Sequence, residues 1–93
     1  MKESQIQKKI INHLESKGAY VVNGIYTKAG IPDLVGLYQG RGFGIEVKTP
    51  KTRSNTSKLQ DYNLAKIVQA GGVSCVACDT DDVDELLDLI RRT

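Results

Sequence analysis

The chain has 93 residues, of which 40% are apolar and 26% are charged, so we expect a single domain spanning residues 1–93 around one modest core. The net charge of +2 is too small to indicate a nucleic-acid partner by itself. No apolar run approaches the ~18 residues of a membrane span, and the N-terminal segment MKESQIQKK lacks the apolar stretch of a signal peptide. We therefore expect a cytoplasmic protein with no membrane partner. A chain this small would also gain buried surface by forming a homodimer.

The predicted secondary structure has the order αβββαβα. The first three strands can form an antiparallel meander, and the second helix would be the crossover that brings in a fourth strand. We therefore expect an α/β (α+β) fold, with a mixed four-stranded sheet flanked by helices, an αβββαβ core and an added C-terminal helix. The predicted elements are a helix at 3–17, strands at 19–26, 31–38 and 43–49, a helix from 57 to about 70, a strand at 73–79 and a last helix.

Local patterns predict how the second and last helices begin and which faces they bury. Thr56 or Ser57 would cap the second helix, and Thr80 or Asp81 would cap the last one. Between the third strand and the second helix, residues 50–58 are polar and basic and read as a loop. The inward residues of the second helix would be Leu64, Ile67 and Val68, and those of the last helix Val83, Leu86, Leu87 and Ile90.

The segment QGRG is a hairpin turn between the second and third strands, because glycine supplies the positive φ of tight turns. If Gly40 and Arg41 are the two turn residues, Asp33 falls opposite Lys48. Glu46 then becomes the diagonal neighbour of Asp33 on the same face of the sheet. A different loop length would change this register.

Cys75 and Cys78 form a CxxC pattern, which can indicate a redox dithiol or half of a zinc site. Here the pattern lies in the apolar run VSCVAC, typical of a buried strand, whereas a redox pair usually begins a helix. A zinc site would need more ligands than the single histidine of the chain can add. We therefore interpret both cysteines as buried structural residues.

Two carboxylates and an ammonium are predicted to converge on one patch of the sheet, namely Asp33, Glu46 and Lys48. This combination suits phosphodiester hydrolysis, because Mg²⁺ takes one or two carboxylates together with waters and phosphate oxygens. The metal would orient and activate a water. Lys48 would stabilise the transition state and, with a depressed pKa, could help to deprotonate the water.

The segments GIPDLVG and IEVKT, together with the later Gln60, resemble the VRR-NUC family of the PD-(D/E)xK nuclease superfamily. The resemblance runs from Glu3 to about Val76, and the order of elements is similar to the αβββαβ core of that superfamily. It departs in scale, because this chain is a minimal, stand-alone version without an added DNA-binding domain. The resemblance implies a restriction-endonuclease-like fold, Mg²⁺ or Mn²⁺ as cofactor, DNA as partner and a homodimer. It also implies Asp33, Glu46, Lys48 and Gln60 as catalytic residues, with Glu3, Asp33 and Glu46 as metal ligands.

Plainer interpretations of these residues stay open. Glu46 and Lys48 could be a solvent-facing ion pair, which is common and weak. Glu3 in the first turn of a helix is also expected from the helix dipole alone. Gln60 precedes Leu64 by four residues and so lies on the inward face, where a polar group needs a partner.

Four basic residues lie close to the motif in sequence and are candidates for contacts with the nucleic-acid backbone. Such contacts position the substrate without specifying its sequence. The alternative is a solvated loop, which is what charge runs usually are. The candidates are Lys28, Lys51, Arg53 and Lys58.

We therefore predict a metal-dependent DNA endonuclease, selective for branched, junction or flap DNA in replication, repair or recombination, and needing no small-molecule cofactor. A phage or mobile element would be a fitting source, and the protein would then act in the host cytoplasm. Two alternatives remain, a non-catalytic nucleic-acid-binding module and a subunit of a larger nuclease assembly. An intact Asp33, Glu46 and Lys48 set argues against a pure binder, because two carboxylates beside a phosphate weaken binding.

Overall fold

The computed structural model describes residues 1–24 and 28–93, and its helices and strands follow the predicted order αβββαβα. The helices are α1 (Glu3–Ser16), α2 (Lys58–Gln69) and α3 (Thr80–Arg92), and the strands are β1 (Tyr20–Asn23), β2 (Leu34–Tyr38), β3 (Arg41–Val47) and β4 (Val73–Ala77). Residues 25–27, which include the end of the predicted first strand and the start of the loop after it, lie outside the described residues. Within the described residues, no helix has the length and apolar character needed to cross a bilayer.

The four strands form one sheet in the order β1-β2-β3-β4. The first three pair antiparallel, and β4 runs parallel to β3 after the crossover through α2. The predicted meander and crossover are therefore confirmed, as is the mixed character of the sheet.

One face of the sheet packs against α1 and α3 and forms the core. From β3 this face presents Phe43, Ile45 and Val47, all buried, as the alternating pattern predicts. All four predicted inward residues of α3 are buried as well. Each such side chain contributes about 1.5–3 kcal/mol by leaving water, so this face supplies most of the stability of the domain.

Among the elements that the structure describes, the opposite face carries one helix, α2, packed on β3 and β4. None of its residues is buried, and Val68 is 54% exposed, so the prediction that Val68 points inward is wrong. A single helix on a four-stranded sheet covers only the strands beneath it, and Val68 lies to one side of that contact. The β1–β2 half of this face is consequently left with exposed apolar side chains.

Gly44 of β3 lets α2 and the Pro32 loop approach the sheet closely. A Cβ at this position would lie 2.3 Å from Ile67 Cδ1 and 3.2 Å from Pro32 Cγ. A side chain here would have to displace the end of the Ile67 side chain and would press on Pro32. Because Gly44 precedes Glu46 by two residues on the same face, this close approach brings neighbouring elements to Glu46.

The β2–β3 turn is centred one residue earlier than predicted. Tyr38 pairs with Arg41, and the two turn residues are Gln39 and Gly40, with φ values of 49° and 79°. Two positive φ values are typical of the type I′ turn that matches strand twist. Arg41 belongs to the strand because it pairs with Tyr38. Its Nε also donates to the Gly71 carbonyl at 2.9 Å, a tertiary contact that local turn chemistry does not reveal.

Several element ends differ from the prediction. β2 begins at Leu34 rather than 31, since Pro32 has no N–H to add to a ladder. β3 ends at Val47 rather than 49, and β4 at Ala77 rather than 79. The predicted 50–58 loop contains a short 3-10 helix, Pro50–Thr52.

Of the predicted helix caps, Ser57 is confirmed for α2. The cap of α3 is Asp79, whose carboxylate accepts from the Asp82 backbone N–H. The predicted caps of α3, Thr80 and Asp81, are wrong because the chain turns into the helix one residue earlier.

Candidate active site

Asp33 and Glu46 lie side by side where β2 begins and β3 ends. The Asp33 backbone N–H donates to Glu46 Oε1 at 3.2 Å, and the Val47 N–H donates to Asp33 Oδ2 at 2.8 Å. Each carboxylate is thus held by a backbone amide of the partner strand segment. The prediction that these two side chains converge is confirmed.

The register that brings them together is not the predicted one. Leu34 pairs with Ile45, so one step further Asp33 faces Glu46, and the predicted pairing of Asp33 with Lys48 is wrong. The difference is two residues. A shift of two keeps every side chain on its face of the sheet, because the strand repeat is two.

Gln60 reaches the same carboxylate from α2. Its Nε2 donates to Glu46 Oε2 at 2.7 Å, so the predicted inward polar residue has a partner. Its Oε1 accepts from the Ser57 backbone N–H at 2.8 Å, and its own N–H donates to the Ser57 hydroxyl. This capping box orients the amide, so that the NH₂ group faces Glu46.

Lys48 lies one residue beyond β3, with Nζ 3.9 Å from Glu46 Oε2. Its side chain is 13% exposed and that of Glu46 is 4% exposed, so they are not a solvent-facing surface pair. Removing two charges from water costs free energy that a single 3.9 Å contact recovers poorly. Stability alone therefore does not account for this pair.

The Glu46 carboxyl has a pKa raised to about 7. Burial is the main cause, and the neighbouring Asp33 charge adds to it, while the Asp33 backbone hydrogen bond and the Lys48 charge oppose it. Glu3 raises the pKa further as the smallest cause, so its carboxylate lies within electrostatic range of the site. The negative charge gathered here exceeds what Lys48 neutralises.

The donor chemistry fits a hard divalent cation. Two carboxylates converge, and Asp33 Oδ1 accepts none of the hydrogen bonds found among residues 1–24 and 28–93. Mg²⁺ commonly uses one or two carboxylates and completes its shell with water and phosphate oxygens. No group of three or more His, Cys, Asp or Glu in these ranges is arranged to hold a metal, so Glu3 is not gathered with the pair. Asp33 and Glu46 are the residues that could hold the ion.

The candidate nucleic-acid contacts differ in their surroundings. Lys28, Lys51 and Lys58 are exposed, and the last two lie on the connector between Lys48 and Gln60. Arg53 instead donates from Nη1 to Asp82 Oδ2 at 3.0 Å. Three of the four cations are therefore free to face solvent, and the fourth has a protein partner that the sequence did not predict.

Two residues that help to build the site were missed in the sequence. Thr49 caps the 3-10 helix, and it exchanges backbone and side-chain hydrogen bonds with Thr52. The signal was present in TPKT, since proline at the first position after a threonine cap is a common helix start. This turn fixes the chain directly after Lys48.

Cys78 is buried, as predicted, whereas Cys75 is only partly buried. Burial nevertheless raises the pKa of the Cys75 thiol to about 12. A redox or metal-binding thiol needs a lowered pKa, which Cys75 does not have.

No protein-family model and no curated protein matches the sequence. Among solved structures, this chain is similar to a VRR_NUC domain, with a TM-score of 0.73 and 26% sequence identity. The similarity covers 92% of this chain and 94% of the other, so it extends over the whole architecture and confirms the resemblance carried by GIPDLVG and IEVKT. The chain is therefore a VRR-NUC-like domain with the restriction-endonuclease-like fold.

Proposed function

We propose that this domain is a Mg²⁺- or Mn²⁺-dependent DNA endonuclease. The observation that carries the proposal is the carboxylate pair of Asp33, which is half-buried, and Glu46, which is buried and is contacted by the Gln60 amide and by Lys48. Two mutually repelling carboxylates beside one lysine are costly for a fold and poorly suited to holding a phosphate unaided. A bound divalent cation resolves both difficulties.

Each residue has a distinct part in this proposal. Asp33 and Glu46 would hold the ion, which supplies Lewis acidity and a lowered water pKa when bound. Gln60 keeps Glu46 Oε2 oriented through a 2.7 Å hydrogen bond. The Lys48 ammonium, on the same side as Glu46 Oε2, would donate to a phosphoryl oxygen and stabilise charge that develops there. Glu3 is a candidate for an outer, water-mediated ligand.

DNA would lie across the connector between Lys48 and α2. Lys51 and Lys58 are exposed along this connector, and Lys28 is exposed just before the Asp33 segment. Point charges of this kind contact phosphates and carry no base information. Selectivity for branched DNA would then come from the placement of two active sites rather than from base contacts.

A homodimer would supply that placement, and the uncovered β1–β2 half of the α2 face is its proposed interface. Tyr20, Val22 and Leu37 are exposed there beside α2. Two adjoining grooves of about 570 and 500 Å³ have described lining residues that include two cations, Arg41 and Lys66, and no acid. Exposed apolar patches on small domains usually mark interaction surfaces. A second copy fits because the described lining is mainly apolar and carries only these two charges, whereas DNA requires a densely cationic surface.

The dimer is tested by light scattering of the purified protein. We expect twice the 10.2 kDa mass of the chain, and a monomer for Leu37→Lys, because a charge would be buried at the interface. Leu89→Lys, an equally exposed leucine on α3, is the matched control and should remain dimeric. A wild-type protein that is monomeric at micromolar concentration would contradict this interface.

The nuclease proposal is tested by replacing Lys48 with methionine, which keeps the aliphatic stem and removes the charge. Single-turnover cleavage of a labelled four-way junction and of supercoiled plasmid should fall by about 10²–10³-fold. Both substrates are incubated with Mg²⁺, with Mn²⁺ and with EDTA, and EDTA should abolish cutting. Lys17→Met, at the far end of α1, is the control and should cut as wild type does. Metal-independent retention of the junction without any cutting by wild type would favour the non-catalytic binding module.

A further inference from the structure

We propose that the ion pair of Arg53 and Asp82 is a positioning device for the active site, holding the connector that carries Lys48 at one end and leads to Gln60 at the other. This inference rests on the proposed function for its kinetic consequence, but its structural consequence does not depend on catalysis. It assigns Arg53 a role in the free enzyme that differs from a phosphate contact.

Asp82 is held in place by hydrogen bonds to both its carboxylate and its backbone N–H. Its Oδ2 accepts both the Cys78 backbone N–H at 2.9 Å and Arg53 Nη1 at 3.0 Å, and its own backbone N–H is held by the Asp79 cap. The side chain is 19% exposed. Asp82 also lies next to Val83, which is fully buried in the core. An arginine bound to this carboxylate is therefore tied to a helix that packs in the core.

Arg53 lies in the middle of the connector, between the backbone contact of Lys48 with β4 and the start of α2. On one side, Lys48 N–H bonds the Ala77 carbonyl at 3.0 Å, and the Thr49–Thr52 turn follows. On the other side, Ser57 begins α2. The bridge to Asp82 thus joins the connector to α3. It does so between Lys48 and Ser57, which set the positions of the Lys48 and Gln60 side chains.

Both ends of the connector act on one atom. Gln60 Nε2 lies 2.7 Å from Glu46 Oε2, and Lys48 Nζ lies 3.9 Å from the same oxygen. If the connector were released from α3, Gln60 Nε2 and Lys48 Nζ would both be free to move relative to Glu46. Errors of about 1 Å in catalytic geometry can cost roughly 10²-fold in rate, whereas a partly exposed ion pair contributes little to stability. The bridge should therefore affect rate far more than folding.

The charge-removing variants Arg53→Gln and Asp82→Asn test this role. We expect the single-turnover rate at saturating DNA to fall by about 10–100-fold in each. The double variant should be no worse than the singles, because both remove one contact. Arg53→Lys, which can still reach Asp82, should restore most of the rate. Asp81→Asn, in the same helical turn and exposed, is the control and should leave the rate unchanged.

Asp82→Asn separates positioning from DNA binding. If Arg53 served the DNA backbone, releasing it and removing a nearby negative charge would tighten binding in EDTA and leave the saturating rate intact. That result would overturn the proposal. A lowered saturating rate with unchanged affinity and an unchanged urea-unfolding midpoint supports it.

A spectroscopic readout keeps the test independent of activity. The Gln60 side-chain NH₂ signals, assigned by their loss in Gln60→Met, should shift and exchange faster with water in Arg53→Gln and Asp82→Asn, and not in Asp81→Asn. Unchanged Gln60 signals would overturn the inference even if the wild type cuts DNA. Shifted signals in a protein that cuts nothing would uphold the bridge and reject the nuclease proposal.

Discussion

Glu46→Gln is expected to abolish metal-dependent cleavage, by about 10³-fold or more in single-turnover rate, without the stability loss that follows when a structural ion pair is broken. Loss of a carboxylate ligand removes the metal contribution, which is worth several kcal/mol in the transition state. Glutamine has the same shape and can still accept one hydrogen bond. The variant therefore removes charge and ligand chemistry while retaining packing.

The expected stability follows from the surroundings of Glu46. Its side chain is 4% exposed, and burial and the Asp33 charge together raise its pKa to about 7. At pH 8 the wild type carries a costly buried charge, and the variant does not. This gain offsets the loss of one of the two acceptor oxygens that receive Asp33 N–H and Gln60 Nε2. We expect urea unfolding in EDTA to differ by less than about 1 kcal/mol.

A purely structural Glu46 would behave in the opposite way. Breaking a buried pair that stabilises the fold typically costs about 3–5 kcal/mol, and cleavage by the surviving folded fraction would be unaffected. Glu15→Gln, an exposed carboxyl on α1, controls for the general effect of removing a charge. A destabilised but active Glu46→Gln protein would contradict the catalytic assignment.

Much of the site could be predicted from the sequence because strand periodicity is robust to small errors. The predicted turn is centred on Gly40 and Arg41, one residue too late. Asp33 and Glu46 still lie on one face of the sheet, because the predicted pairing of β2 with β3 is wrong by two residues. An error of one residue would have placed the carboxylates on opposite faces. Period-2 alternation in β3 and the helical spacing in α3 correctly predicted which faces of these two elements are buried in the core.

Features that depend on distant contacts could not be predicted. Val68 has the spacing of a buried residue, but no second helix among the described residues covers it. Arg53 is predicted to contact the nucleic-acid backbone or to be solvated, and only the fold brings it to Asp82. Gly44 lies within a predicted strand, and only the fold shows that Ile67 and Pro32 approach it closely. Each depends on which elements become neighbours, and local propensity does not contain that information.

The second large effect concerns stability against pH. In EDTA, the free energy of unfolding of wild type, compared with that of Glu46→Gln, is expected to fall as the pH rises from 4.5 to above 7. The unfolded carboxyl has a pKa of 4.5, and the folded one is raised to about 7, so the folded state keeps a proton that the unfolded state releases. Stability from this group is complete below 4.5 and is lost as the pH passes through about 7. The loss is at most about 3 kcal/mol.

Mg²⁺ should reverse that loss, because a cation between Asp33 and Glu46 replaces the proton as the partner of the carboxylates. At pH 8 and a concentration about 100-fold above its Kd, the ion would stabilise wild type by roughly 2.7 kcal/mol. Glu46→Gln should gain far less, since one ligand charge is missing. Urea unfolding of both proteins at pH 5 and pH 8, with EDTA or Mg²⁺, measures the contributions of the Glu46 proton and of Mg²⁺ to the free energy of unfolding. If Mg²⁺ stabilised both proteins equally, the ion would bind elsewhere and the assignment of Glu46 as a metal ligand would be wrong. If instead the difference between the two proteins in EDTA is present at pH 5 and lost at pH 8, and Mg²⁺ restores it at pH 8, the buried carboxylate is retained for the ion it binds.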